Sequence, residues 1–257
     1  MRYRELVEYS FPTIQHVEVP RQRHPGRSIR RGRAGNYVGD GSFAQATANP
    51  NNPHDIRKTS KDPQKRKAID GFYFYLLELE NYTDNTNPYF PRIRQAKIYT
   101  DRDEDSSKDR ITYSVQMERL ESLMGINDRD RESSLAKVFG SNYTRAREIM
   151  DSIEENYDGW QNSPWIYDEP FLTIIKIIVG GNNMLEAMSR AHADKETISE
   201  LIDLVADEQL LRALVFIEEV SKKYTLGMDL HDENIMFRRG PTGVQLVITD
   251  PLSYQRS

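Results

Sequence analysis

The chain has 257 residues, 37% of them hydrophobic, 10% aromatic and 29% charged. This apolar content supports a sizeable core and excludes collagen-like, coiled-coil and wholly disordered chains; the length allows one large domain, or one domain with a smaller companion. A formal net charge of −5 argues against a surface given over entirely to nucleic acid, and the lack of cysteine excludes disulfides, thiolate nucleophiles and Cys-ligated metal sites.

Taken in chain order, residues 1–34 open with a short mixed segment and become strongly basic. Arg21, Arg23, Arg27, Arg30, Arg31 and Arg33 lie among glycine and proline, which predicts a flexible arm able to meet an acidic partner or nucleic acid. Residues 35–120 read as a small, mostly antiparallel lobe. YVGDGSFAQATA gives strand, turn and strand, a further strand surrounds residues 56–59, and a helix is expected from Pro63 to Glu80. PRIRQAKIYT and RITYSVQMERL follow as two strands joined by the acidic turn DRDEDSSKD.

From about Gly125 the pattern turns helical. SSLAKVFG and YTRAREIMDSIEENY are amphipathic, WIYDEPFLTIIKIIVGG is apolar, and MLEAMSRAHA and ETISELIDLVA follow. A helix with Leu210, Leu211, Leu214, Ile217 and Val220 as its apolar positions comes next, with Gly227 as its stop. The chain closes on a hairpin, NIMFRR and VQLVITD around the turn GPTG. The longest apolar run, 171–181, contains Lys176 and falls short of the ~20 residues a spanning helix needs. The N-terminus has no apolar signal core. A soluble, unsecreted protein with no membrane partner is therefore expected.

The sharpest chemical signal is MDLHDENIMF followed by VITDP. If the two closing strands pair across GPTG, Asn234 and Asp250 meet at one end of the hairpin. An amide oxygen and a carboxylate are hard ligands suited to magnesium on polyphosphate oxygens, and Asp229 is placed to take a proton from an attacking hydroxyl. D-L-H-x-x-N-I, a strand pair and I-x-D-P together resemble the catalytic and metal-binding loops of the protein-kinase-like superfamily, in the form shared with aminoglycoside phosphotransferases. The segment YVGDGSFAQA resembles that superfamily's glycine-rich phosphate loop. With a strand lysine in DIRKTSK, the T-Y-x-V strand before the hinge and I-T-D-P-x-S at the end, the set is most similar to the early serine/threonine protein kinases of podovirus-type coliphages. The similarity covers about residues 36–120 and 207–257.

That resemblance implies a bilobal protein-kinase-like fold of the α+β class: a small antiparallel β lobe with one helix (35–120) and a larger, mostly helical lobe (121–257), truncated after the metal-binding loop. It implies ATP and Mg2+ as cofactors, Asp229 as catalytic base, and Asn234 and Asp250 as metal ligands. Gly39, Asp40, Gly41, Ser42, Phe43 and Ala44 form the phosphate loop. Lys58, or Lys61 in its stead, holds phosphates, paired with Asp70 or Glu78. Adenine meets the main chain near Glu118 and Leu120, with Met117, Ala46 and Val38 as apolar faces. The implied activity is Ser/Thr phosphorylation of host proteins in the host cytoplasm. The chain departs from ordinary protein kinases in three respects: His231 follows the base and is expected to brace the loop, Pro251 and Leu252 stand where Phe-Gly is customary, and no activation segment follows Asp250. Two further readings stay open. One is a small-molecule phosphotransferase, with Asp151, Glu154, Glu155 and Asp158 as acids for a cationic acceptor; the other is a nucleotide-binding pseudokinase acting as an interaction module.

Overall fold

The computed structural model describes residues 10–18, 37–40, 44–60, 69–101, 110–122, 125–155, 170–189, 195–230, 234–241 and 243–253. They form two compact units, one within 10–86 and 91–119 and the other within 87–90 and 120–253. Strands and helices segregate as in an α+β chain. Among the described residues no helix is long and apolar enough to cross a membrane. The basic run 21–33 and the acidic turn 102–109 lie outside the described residues.

The first unit is one mixed sheet and one helix: β1 (Gln15–Glu18), β2 (Tyr37–Asp40), β3 (Ala44–Ala48), β4 (Asp55–Ser60), α1 (Gly71–Asn81), β5 (Ile93–Asp101) and β6 (Arg110–Glu118). The sheet order is β1-β5-β6-β4-β3-β2, antiparallel throughout except for β1, which runs parallel to β5. Residues 15–18 are thus a sheet edge and not part of a flexible arm, a correction to the sequence reading. Successive strand residues face opposite sides, so the row Ala96, Val115, Lys58, Ala46, Gly39, fixed by the pairing register, shares one face. Ala96 and Val115 are fully buried, and Tyr113 on the same face stacks against Phe72 of α1, ring centroids 5.3 Å apart.

Of the helix expected from Pro63 to Glu80, residues 63–68 lie outside the described residues and α1 starts at Gly71. Residues 69 and 70 are not helical, and Asp70 is the N-cap, its Oδ1 accepting from the Phe72 amide at 3.1 Å. A short aspartate side chain satisfies an amide that no earlier carbonyl can reach, which is what starts the helix here.

The second unit holds α2 (Asp128–Phe139), a 3-10 turn, α3 (Tyr143–Glu155), α4 (Pro170–Ser189), α5 (Lys195–Asp203), α6 (Glu208–Tyr224), and the hairpin β7 (Ile235–Gly240) and β8 (Gly243–Ile248). Every residue from Phe171 to Gly180 is buried, Thr173 and Lys176 included, so the first half of α4 is a core helix enclosed on all sides. Gly181, at φ 49°, breaks it. In α6 the buried stripe is Leu210, Ala213, Phe216, Ile217 and Val220; Leu211, expected inside, is 42% exposed.

That helix also ends two residues earlier than expected. Thr225 takes the left-handed conformation (φ 55°, ψ 48°), allowing the Leu226 amide to reach Ser221 O at 2.9 Å. A β-branched residue is strained there. Thr225→Gly therefore stabilises the protein by about 1 kcal/mol, read as a rise in Tm of about 2–4 °C; an unchanged or lower Tm would contradict the assigned strain.

Candidate functional site

The hairpin is built from alternating apolar residues. Ile235 and Phe237 on β7 and Val244, Leu246 and Ile248 on β8 are all essentially buried, and that shared face fixes the register from Ile235↔Ile248 to Gly240↔Gly243. Beyond the open end the pairing continues by one bond, Thr249 N–H donating to Asn234 O at 2.9 Å. The strand after Asp250 is zipped to the loop before β7: Asp229 N–H donates to Pro251 O at 2.8 Å, Met228 and Leu252 form a bridge, and Ser253 N–H donates to Gly227 O at 2.9 Å. Asp250 therefore sits between a neighbour bonded to Asn234 and a neighbour bonded to Asp229.

A side-chain bond closes the triangle. Asn234 Nδ2 donates to Asp229 O at 2.8 Å, which turns the amide nitrogen toward the loop and its carbonyl oxygen the other way. Asn234 is buried at 6% exposure, and Asp250 is half-buried with its Oδ1 shielded from solvent. Three residues proposed from sequence as base and ligands are thus brought together by main-chain bonds. His231 lies outside the described residues.

The donor set fits magnesium. One carboxylate and one amide oxygen are the one or two hard protein ligands that Mg2+ accepts when phosphates and water complete its shell. Among the described residues no group of three or more His, Asp or Glu side chains is placed to hold a metal alone.

Gly227 and Ser253 were not singled out for the site, although Ser253 ends the I-T-D-P-x-S motif and Gly227 directly precedes MDLHDENIMF. The Ser253 hydroxyl accepts from the Gly227 amide at 3.0 Å, and a Cβ on residue 227 would lie 2.8 Å from that oxygen. Gly227→Ala displaces the Ser253 hydroxyl from its bond with the residue 227 amide and destabilises by about 1–3 kcal/mol. Adding Ser253→Ala to the same chain restores most of the lost Tm; equal stability of Gly227→Ala and wild type would refute this close approach.

In the first unit, β2 and β3 flank residues 41–43 in antiparallel pairing, with a bulge between Tyr37 and Gly39. Gly39 and Asp40 end β2 and Ala44 starts β3, whereas Gly41, Ser42 and Phe43, like Lys61, lie outside the described residues. Lys58 is half-buried on β4, opposite Ala46, and its Nζ stands 4.0 Å from the centroid of the Phe72 ring. Such a cation over an aromatic face is held and partly desolvated. Asp70 has a different setting from the helix acid expected. It precedes α1, with one oxygen capping the helix and the other accepting the Tyr113 hydroxyl. Glu78 is half-buried in the second half of α1.

The strand end before the crossing is also structural in part. Glu118 N–H donates to Arg92 O at 3.0 Å, and its carboxylate Oε1 accepts the Arg92 amide at 2.7 Å, so its own amide is not left for a base edge. The amides of Arg119 and Glu121 are bound to His54 O and Phe237 O. Leu120, buried at 8% exposure, stands between them. No protein-family model matches the chain, and comparison with the curated proteins finds no match.

Proposed function

We propose that the protein is an ATP-dependent kinase of the phage serine/threonine type, transferring the γ-phosphoryl group to hydroxyls of host proteins. The observation that carries the reading is the zipper around Asp250, which places an aspartate loop, an asparagine and a second aspartate at one hairpin end. The glycine-bearing strand pair in register with Lys58, and the helix following that lysine strand, support it. A protein-kinase-like fold is part of the proposal.

In the reaction the acceptor oxygen bonds to the γ-phosphorus while the bond from phosphorus to the β–γ bridging oxygen breaks, releasing ADP. The Asp229 carboxylate accepts the hydroxyl proton, and Lys58 meets phosphate charge. Asn234 and Asp250 are the residues that would hold Mg2+, which when bound neutralises charge on the phosphate oxygens. The main-chain amide near Leu120 would meet the base. Because Asp229 and Asn234 are held by hydrogen bonds to each other and to Thr249 and Pro251, their positions are set before substrate arrives. Of the acids that a cationic small acceptor would call for, Asp151 is ion-paired with Arg147 at 2.8 Å on an exposed face, while Asp158 and the Glu154 side chain lie outside the described residues.

The test is incubation with Mg2+ and γ-labelled ATP, with and without host lysate. Label on lysate proteins supports the protein kinase; label only on added aminoglycosides or sugars, or nucleotide binding with no transfer, refutes it.

A further inference from the structure

We infer that Arg238 is a positioning residue for the Asn234–Asp250 pair, an inference that rests on the reading just given. Its guanidinium donates to Pro88 O through Nη1 and to Phe90 O through Nη2, each at 2.8 Å. The carbonyl between them, Tyr89 O, accepts the Ile248 amide at 2.8 Å. Three successive carbonyls of residues 88–90 are therefore stitched to the hairpin, two by a β7 side chain and one by the β8 backbone.

The stitched segment is itself firmly held. Tyr89 and Phe90 are each 1% exposed, Phe90 meets Phe216 edge-on at 5.3 Å, and the Tyr89 hydroxyl donates to Asp207, the N-cap of α6, at 3.0 Å. Asn87 Nδ2 donates to Gln209 O at 2.8 Å. Arg238 thus transmits a fixed position from α6 to the hairpin.

The far end of that linkage is the site. Ile248 pairs with Ile235, directly beside Asn234, and the next amide, Thr249 N–H, makes the bond to Asn234 O. Holding Ile248 against Tyr89 fixes the distance at which Asn234 and Asp250 meet. A planar fork reaches two carbonyls of one segment from two nitrogens in fixed geometry, whereas lysine has a single nitrogen on a flexible stem. On the opposite edge of β7, Arg239 grips Glu121 at 2.9 and 2.7 Å and Asp130 at 3.0 Å, but it is exposed, so Arg238 is the member expected to matter.

The experiment compares full-length wild type, Arg238→Lys and Arg238→Met. In Arg238→Met the Mg2+ concentration giving half-maximal transfer rises about tenfold, while nucleotide affinity in EDTA stays within about twofold. Arg238→Lys falls between the two, and also serves if the methionine variant does not fold. Hydrogen exchange at the Ile248 and Thr249 amides accelerates about tenfold in Arg238→Met, since their bonds open more often. Unchanged Mg2+ dependence, or activity lost only in proportion to the folded fraction, overturns the inference. If wild type transfers no phosphate at all, the kinase reading falls. Exchange at those two amides then decides the positioning role alone: faster exchange supports it and wild-type exchange refutes it.

Discussion

Asp229→Asn lowers phosphoryl transfer by roughly a thousandfold, the scale of losing a positioned general base, and leaves nucleotide affinity within about twofold. The physical ground is that two bonds holding residue 229 in the site use its main chain: its amide to Pro251 O, and its carbonyl to Asn234 Nδ2. Asparagine keeps the shape and these two bonds and removes the carboxylate that would accept the proton. The fall is therefore expected in kcat with KM for ATP nearly constant, and Tm is expected to stay at the wild-type value. Transfer at the wild-type rate would show that Asp229 does not act as base.

The second large effect is at Asp250. Its flanking residues are pinned through Thr249 N–H and Pro251 O, so Asp250→Asn leaves the backbone path intact while removing the only anionic oxygen donor of the ligand pair. The Mg2+ concentration for half-maximal nucleotide binding is expected to rise about 10- to 100-fold. Binding of nucleotide without metal should change little. A metal dependence equal to wild type would remove Asp250 from the ligand set.

How these two residues come together was readable because it depends on short-range rules. GPTG between two alternating apolar runs specifies a hairpin, and pairing 235–240 with 243–248 brings positions just outside the strands face to face. The glycine strand pair followed from the same kind of pattern. The misreadings have equally definite causes. The helix expected from Pro63 is described from Gly71 on, where the Asp70 side chain caps it, and residues 69 and 70 before it are not helical. Leu211 shares the apolar composition of its helix but sits off the 210–213–217–220 stripe, an angular difference that composition does not show.

Other features lie beyond any local pattern. The parallel pairing of β1 with β5 joins His16 to Ile98, and the Arg238 fork reaches residues 148 and 150 positions away. Distances of that kind along the chain leave no periodic trace in either partner. Glu118 shows the same limit: its amide and carboxylate both bond to the Arg92 backbone, 26 positions away. The glycine at 227 was read as a helix stop because Thr225, a poor left-handed residue, gives no sign of ending the helix.

The most direct measurement is a calorimetric titration of Mg2+ into the wild-type protein with a non-hydrolysable ATP analogue bound, repeated on the double variant Asn234→Ala/Asp250→Asn. Saturable Mg2+ binding to wild type that requires the analogue, and its loss in a double variant that stays folded, is the result expected. Equal Mg2+ binding by both proteins would mean that the hairpin end is not where the metal–nucleotide complex is held.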